Sequence, residues 1–133
     1  RMRTDDGRVL PNFITQAMEG KPLTIHGNGD QTRSFCYVAD LADGLIRLAN
    51  SEVEDPVNIG NPQEITIREF AEEIIRLCNS KSTLKSIERP KDDPNVRKPD
   101  ITRARTLLGW EPKVDRKDGL ARTVAWFKEN YKV

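Results

Sequence analysis

A glycine-rich turn followed by an arginine is the first feature of this chain that could bind a ligand. Gly27 and Gly29 flank Asn28 directly after the apolar run 23–26, and Arg33 follows. Glycine adopts positive φ without strain, so the turn exposes backbone N–H groups, and a planar guanidinium nearby offers a fork of donors to a phosphate. The pattern predicts a local anion site. A third glycine and a following helix are missing, so the turn is not a dinucleotide fingerprint.

Arg8 stands immediately before the first predicted helix. A cation there is electrostatically disfavoured unless it faces an anion, which makes Arg8 a candidate functional residue. The N–H groups of Val9 and Leu10, in the first helical turn, could bind a phosphate. The alternative interpretation is a solvated arginine at a helix start.

Two further polar features have competing explanations. Arg97 is a second phosphate candidate, but Asp92, Asp93 and Asp100 are near it in sequence and could instead form a surface ion-pair network. His26, the sole histidine, is better explained as a packed or surface residue than as a catalyst. No Cys, His or carboxylate cluster has the spacing of metal ligands, so we predict no metal site.

Composition limits the partners and the setting. The 133 residues carry 22 basic and 21 acidic side chains, so the net charge of +1 creates no field that would attract nucleic acid or an anionic membrane. No stretch approaches the roughly 20 apolar residues of a membrane span. We expect a cytoplasmic protein in which Cys36 and Cys78 are reduced structural thiols.

Hydrophobic periodicity predicts alternating helices and short strands. We expect helices over 8–19, 38–50, 67–78, 100–108 and 117–131, and strands over 23–26, 32–37, 57–60 and 84–88. Thr66 and Glu69 have the spacing of a capping box, and Gly109 is a helix stop. Segment 89–99 reads as a loop. The pattern predicts one mixed α/β unit, over 1–133, that packs against a partner domain.

Several short motifs, weak individually, together have a specific order and spacing. They are Arg1-Met2, Asp6-Gly7-Arg8-Val9, Asn12-Phe13-Ile14, Leu23 to Gly29, Gln31-Thr32-Arg33, Val57-Asn58-Ile59-Gly60-Asn61, Asp92-Asp93-Pro94, Arg97-Lys98-Pro99-Asp100 and Leu108-Gly109-Trp110-Glu111-Pro112. The set resembles the C-terminal part of nucleotide-sugar-modifying extended short-chain dehydrogenases/reductases, and among them most closely the UDP-glucuronate decarboxylases.

The resemblance implies a substrate-binding α/β portion without its Rossmann dinucleotide-binding half. The whole enzyme would be an NAD-dependent lyase that converts UDP-glucuronate to UDP-xylose and carbon dioxide, and it would be a homodimer. NAD would be bound mainly by the absent N-terminal domain. The chain opens on Arg1 inside the family pattern, so we expect a fragment that is inactive alone.

The resemblance also implies roles for individual residues. Arg8 would lie beside the sugar carboxylate and assist decarboxylation. The remaining substrate-binding residues would be Val9 and Leu10 at the diphosphate, Thr24 and His26 at the uracil edge, Arg33 at the diphosphate, Phe35 at the ribose or sugar, Phe13, and either Arg89 or Arg97 at a phosphate.

Two alternatives stay open. Arg89-Pro90 resembles the equivalent turn of epimerases and dehydratases, so the chain could come from a nucleotide-sugar epimerase or 4,6-dehydratase. It could also be a non-catalytic nucleotide-sugar-binding module, because neither the dinucleotide loop nor the Tyr-x-x-x-Lys pair of the superfamily occurs in it.

Overall fold

Helices and short strands alternate along the chain, as the changes in hydrophobic periodicity predict. The computed structural model describes residues 3–131, so the motif residues Arg1 and Met2 lie outside the described part. Within it the elements are α1 (Val9–Met18), β1 (Leu23–His26), β2 (Thr32–Ser34), α2 (Val38–Ala49), β3 (Glu64–Thr66), α3 (Ile67–Leu77), β4 (Leu84–Ile87), β5 (Val96–Arg97), α4 (Thr102–Leu108) and α5 (Arg116–Asn130). The predicted mixed α/β class is confirmed.

The chain divides into two compact units. The first unit contains the residues up to Gln31, Thr66–Asn95 and the residues from Ala121 onward, and the second unit contains Thr32–Ile65 and Val96–Leu120. The assignment of 1–133 to a single nucleotide-sugar-binding domain stays a prediction.

In the first unit, β1 and β4 pair in parallel, with Leu23 beside Leu84 and His26 beside Ile87. Its buried side chains in α1, β1, α3 and α5 include Pro11, Phe13, Ile14, Ala17, Leu23, Ile25, Ile67, Phe70, Ala71, Ile74, Val124 and Phe127. Full burial of a large apolar side chain stabilises a fold by about 1.5–3 kcal/mol, so these residues hold the first unit together.

The predicted capping box at the start of α3 is confirmed. The Glu69 backbone N–H donates to Thr66 Oγ1 at 3.2 Å, and the Thr66 N–H donates to Glu69 Oε2 at 3.4 Å. Two of the N–H groups at this helix start are thereby satisfied, which fixes where α3 begins.

In the second unit, the core forms around Trp110, which is 1% exposed. Trp110 packs with Ile101 and Ala104, and its indole N–H donates to the Asp40 backbone carbonyl at 3.0 Å. The Asp40 carboxylate accepts from the N–H groups of Lys113 and Val114 at 3.0 and 2.9 Å. Asp40 lies in the first turn of α2, and its carboxylate thereby anchors the segment after Trp110.

Two strand predictions and one loop prediction were wrong in extent or place. Residues 57–60 form no strand, because Val57 and Ile59 pack against the Trp110 cluster without a ladder partner. The predicted strand 32–37 ends at Ser34. The loop predicted over 89–99 contains β5, which joins β2 and the unpredicted β3 in a three-stranded sheet ordered β3-β2-β5.

The helix stop predicted at Gly109 is confirmed. Gly109 ends α4 in the left-handed conformation, with φ +57°. Cys36 and Cys78 are free, half-buried thiols, and burial raises the pKa of Cys36 to about 11 and also raises the pKa of Cys78. Among residues 3–131, no helix combines the length and apolarity needed to cross a bilayer.

Candidate functional site

The turn after β1 is built from two glycines with left-handed backbone. Gly27 and Gly29 have φ of +60° and +74°. The Gly27 N–H donates to the carbonyl of Ile87 at 2.9 Å, so the turn stays attached to β4. A Cβ on Gly29 would meet the backbone nitrogen of Arg68 at 3.0 Å. Both conformation and space therefore require glycine at position 29.

The carbonyl groups of this turn point into the protein. Those of His26, Gly27, Asn28 and Gly29 accept, in that order, from Gln31 Nε2 (3.1 Å), Ser86 Oγ (2.6 Å), Arg68 Nε (3.0 Å) and the Arg68 N–H (3.0 Å). The N–H groups of Asn28 and Asp30 have no protein acceptor within residues 3–131. The Gly29 N–H donates to the His26 carbonyl at 3.3 Å, so two donors of this turn are left for an anion, and the predicted anion site stays a prediction.

Arg89 lies beside this turn. Its Cβ and Cδ are 3.9 Å from the position that a Cβ on Gly27 would occupy. The guanidinium donates from Nε to Asp93 Oδ2 at 3.1 Å and from Nη2 to the Asp93 carbonyl at 2.9 Å. Asp93 therefore orients Arg89, and part of its donor fork is already engaged.

Arg33 and Arg97 are neighbours in the second unit. They pair in register on the parallel strands β2 and β5, which places both side chains on the same face of the sheet. Arg33 Nη1 also donates to the Thr32 carbonyl at 2.6 Å. Like charges on adjacent strands repel, so this arrangement favours an anion between them. The sequence named both arginines as phosphate candidates but gave no sign of their adjacency.

Arg8 is the N-cap residue of α1 and has extended backbone. Its Nε lies 3.1 Å from Asp6 Oδ1, and its side chain is 71% exposed. No side chain caps the helix start that contains Val9 and Leu10, both half-buried. Because an exposed ion pair contributes at most about 1 kcal/mol, an incoming anion can displace Asp6 from Arg8.

The edge of β1 that faces away from β4 holds Thr24 and His26. Alternate residues of a strand direct their backbone groups to opposite edges, and Leu23 and Gly27 donate toward the β4 side. The Thr24 N–H donates to Gln16 Oε1 at 3.2 Å. Within the described residues, the Thr24 carbonyl and the His26 N–H have no protein partner. One acceptor and one donor therefore remain on this strand edge.

The two aromatic candidates have different surroundings. Phe13 is a core residue whose ring centroid lies 6.5 Å from that of Phe70. Phe35 follows β2 and is half-buried. Their predicted substrate contacts stay predictions.

An open cleft of about 450 Å³ lies in the second unit, and the sequence gave no sign of it. Its lining includes Lys98, Arg105 and Asp100. Asp100 Oδ1 accepts from the Thr102 hydroxyl at 2.6 Å and from the Thr102 N–H at 2.9 Å, which lowers the pKa of the Asp100 carboxyl. None of the predicted site residues lines this cleft.

Curated relatives are similar over nearly the whole chain. UDP-glucuronic acid decarboxylase 1 of Danio rerio is 50% identical over 96% of this chain, and UDP-glucuronic acid decarboxylase 5 of Arabidopsis thaliana is 53% identical over 90%. The aligned regions are 30% and 35% of those proteins. The chain thus spans about a third of the length of these relatives.

Solved structures agree in fold. An epimerase from Methanothermobacter thermautotrophicus matches 93% of this chain with a TM-score of 0.90 and 33% identity, over 38% of its own chain. UDP-glucuronic acid 4-epimerase from Bacillus cereus, in complex with UDP-glucuronic acid and NAD, matches 98% with a TM-score of 0.89 and 29% identity, over 42% of its own chain. The sequence model of the GDP-mannose 4,6 dehydratase family matches residues 1–123, and the chain therefore belongs to that family.

Proposed function

We propose that this chain is the nucleotide-sugar-binding part of an NAD-dependent UDP-glucuronate decarboxylase. Decarboxylases of UDP-glucuronic acid that are 50% and 53% identical to it support this substrate. The observation that carries the proposal is the in-register pair Arg33 and Arg97, because two guanidinium groups on one face suit a diphosphate.

The open edge of β1 suits a uracil. The Thr24 carbonyl can accept from the N3–H of the base, and the His26 N–H can donate to a neighbouring base carbonyl. A strand edge would then read a base as it reads another strand. The roles predicted for Thr24 and His26 thus involve their backbones, and no proton transfer is assigned to the imidazole.

Arg8 is proposed to hold the carboxylate of the glucuronate. A guanidinium binds a carboxylate with two parallel hydrogen bonds, and this also fixes the plane of the carboxylate. The residue thereby orients the group that leaves as carbon dioxide. Val9 and Leu10 contribute N–H groups at the start of α1, where an anion is favoured.

The residues present do not fit NAD. Within residues 3–131 the Gly27–Gly29 turn leads into β2, whereas a dinucleotide site needs a glycine turn that leads into a helix. In the proposed enzyme NAD supplies the oxidation and reduction at the sugar, and the part of the protein outside this chain holds it. The homodimeric assembly and the cytoplasmic setting rest on the family resemblance and on composition.

An epimerase remains the second candidate. The 29%-identical structure from Bacillus cereus is a UDP-glucuronic acid 4-epimerase. Arg89, whose turn resembles that of epimerases, lies beside the glycine turn. In a decarboxylase, replacing Arg8 abolishes turnover by the whole enzyme. In an epimerase the same change has a smaller effect, because no carboxylate is lost.

Calorimetric titration of the chain with UDP, UDP-glucuronate and UDP-glucose tests the proposal. Arg33→Ala should weaken all three about tenfold, whereas Arg8→Ala should weaken only UDP-glucuronate, by about tenfold, because a hydrogen bond to a charged group contributes about 1.5–3 kcal/mol. Arg3→Ala is the matched control for Arg8, since Arg3 forms a similar exposed pair with Asp5.

Arg103→Ala is the control for Arg33, because Arg103 is an exposed arginine of the same unit that donates to the Pro56 carbonyl. Both control variants should bind all three ligands unchanged. No heat of binding with UDP would contradict the proposal for this chain. Equal weakening of UDP-glucose and UDP-glucuronate by Arg8→Ala would reassign Arg8 to the diphosphate.

A further inference from the structure

Two glutamine side chains bracket the open edge of β1. Gln16, on α1, accepts from the Thr24 N–H at 3.2 Å through Oε1 and donates from Nε2 to Thr24 Oγ1 at 3.1 Å. Gln31, which is 5% exposed, donates to the His26 carbonyl at 3.1 Å, and the Gly29 N–H donates to the same carbonyl at 3.3 Å. The outermost groups of this edge are therefore engaged, and the Thr24 carbonyl and the His26 N–H lie between them.

The Gln16 carboxamide has a donor that the protein does not use. Its nitrogen has two hydrogens, and Thr24 Oγ1 accepts one of them. In the part of the chain that the structure describes, this nitrogen donates to no other acceptor. The oxygen and the nitrogen can be told apart here, because the Thr24 N–H is a donor and so must face the oxygen. Gln16 therefore adds one side-chain donor at the Thr24 end of the edge.

The edge consequently offers a donor, an acceptor and a donor. These are the Gln16 amide, the Thr24 carbonyl and the His26 N–H, in that order along the strand. Uracil offers the complementary series on its Watson–Crick edge, since its N3–H donor lies between the acceptors O2 and O4. Cytosine can pair its exocyclic amine with the Thr24 carbonyl and its N3 with the His26 N–H. In that position, however, cytosine has a C–H group where Gln16 requires an acceptor.

We propose that Gln16 is a specificity-determining residue, which donates to a carbonyl of the base and selects uracil over cytosine. The inference rests on the proposed function, because it takes the base to lie on the β1 edge. It adds the side chain that distinguishes the two pyrimidines, since the backbone groups of Thr24 and His26 can pair with either base. A site that hydrogen-bonds a ligand group discriminates against a ligand without that group, because its own donor is then unpaired.

Gln16→Glu removes the spare donor and keeps the contact between α1 and β1. A carboxylate accepts from the Thr24 N–H as the amide does, and the Thr24 hydroxyl can rotate to donate to the second oxygen. Calorimetric titration of the chain should show UDP weakened at least about tenfold, because a carboxylate would face a base carbonyl. CDP should bind as tightly as before or more tightly, since its amine can donate to the carboxylate. The ratio of UDP to CDP affinity should fall by the same factor or more.

Thio-substituted ligands test the same contact from the side of the base. Sulfur is a weaker acceptor than a carbonyl oxygen, so 2-thio-UDP and 4-thio-UDP each weaken one of the two outer hydrogen bonds. Both analogues should bind the original chain about two- to fivefold less tightly than UDP. With Gln16→Leu, which has no donor, one of the two should bind as tightly as UDP, and the other should keep its deficit. Such coupling identifies a direct contact between Gln16 and that carbonyl.

Ser80→Ala is the matched control, because the Ser80 hydroxyl donates to the Ala17 carbonyl at 2.7 Å and so forms another contact with α1. It should leave the ratio of UDP to CDP affinity unchanged. An unchanged ratio in Gln16→Glu, or deficits of both thio analogues that persist in Gln16→Leu, would overturn the inference. If Arg33→Ala still weakens UDP in that case, the proposed function stands. Absence of UDP binding by the original chain would contradict both.

Discussion

The two units differ in where their helices direct apolar side chains. In the first unit, α1 and α3 direct Phe13, Ile14, Phe70 and Ile74 into a core. In the second unit, α2 buries Asp40 and Gly44 and exposes Val38, Leu45 and Ile46. An amphipathic helix therefore directs its apolar side into the core in the first unit and to the surface in the second.

The largest contrast should appear between a core phenylalanine and an α2 leucine. Phe70→Ala should lower the free energy of unfolding by about 3–5 kcal/mol, because it leaves a cavity in a filled core. Leu45→Ala, which removes a comparable apolar side chain, should change it by less than about 0.5 kcal/mol. Urea denaturation of both variants measures the difference. Similar losses would mean that the comparison between the units is wrong.

A methyl group on the inward side of α2 should be poorly tolerated. Gly44→Ala forces Cβ against Ile59 and Trp110, and overpacking of this kind costs about 1–3 kcal/mol despite the higher helix propensity of alanine. Ala42→Gly on the outward side is the control and should cost about 1 kcal/mol, through propensity alone. A more stable Gly44→Ala variant would show that this side of α2 is loosely packed.

The glycine turn of the first unit should respond to both conformation and space. Gly29→Ala should cost about 1–3 kcal/mol, because φ is +74° and Cβ would meet the Arg68 backbone. Gly20→Ala has a similar φ of +70° with nothing within 4 Å, so it should cost less, about 1 kcal/mol. Thermal unfolding ranks the two variants. Equal losses of stability would mean that contact between the new Cβ and the Arg68 backbone costs nothing.

The smallest effect concerns the C-terminal end of α5. Tyr131 donates its hydroxyl to Glu19 Oε1 at 2.7 Å, and Lys21 lies 2.6 Å from Glu19 Oε2. The hydrogen bonds from Lys21 and Tyr131 lower the pKa of Glu19, so this contribution is present above the ordinary carboxyl pKa of 4.5 and is lost as the pH falls through the lowered value. Tyr131→Phe should flatten the acid limb of a stability-against-pH curve slightly. An unchanged curve would mean that the contact adds nothing measurable.

The sequence predicted the helices better than the sheets, for a physical reason. A helix satisfies its own backbone, so the apolar stripes of α3 and α5 and the capping box of α3 were sufficient to locate them. The strands β3 and β5 have three residues and two, and they exist only because β2 lies between them. A segment of two or three residues contains no pattern that identifies the strand with which it will pair.

The candidate site shows the same limit. The glycine turn, Arg8 and Arg33 were identifiable from residue type and local position. The adjacency of Arg33 and Arg97 depends on the pairing of β5, which the sequence had assigned to a loop. Asp93, which the alternative interpretation of Arg97 placed in a surface ion-pair network, bonds Arg89. Contacts between segments distant in the chain are set by tertiary packing.

The paired arginines should also make the thermal stability of this protein depend on the anion of the buffer. Arg33 and Arg97 lie in register on adjacent strands, so a small oxyanion that binds between them would favour the folded state. Inorganic phosphate should therefore raise the melting temperature more than chloride at equal ionic strength, and Arg33→Ala should abolish the difference. Purification in phosphate would then protect the fold and also compete with every nucleotide sugar offered to it.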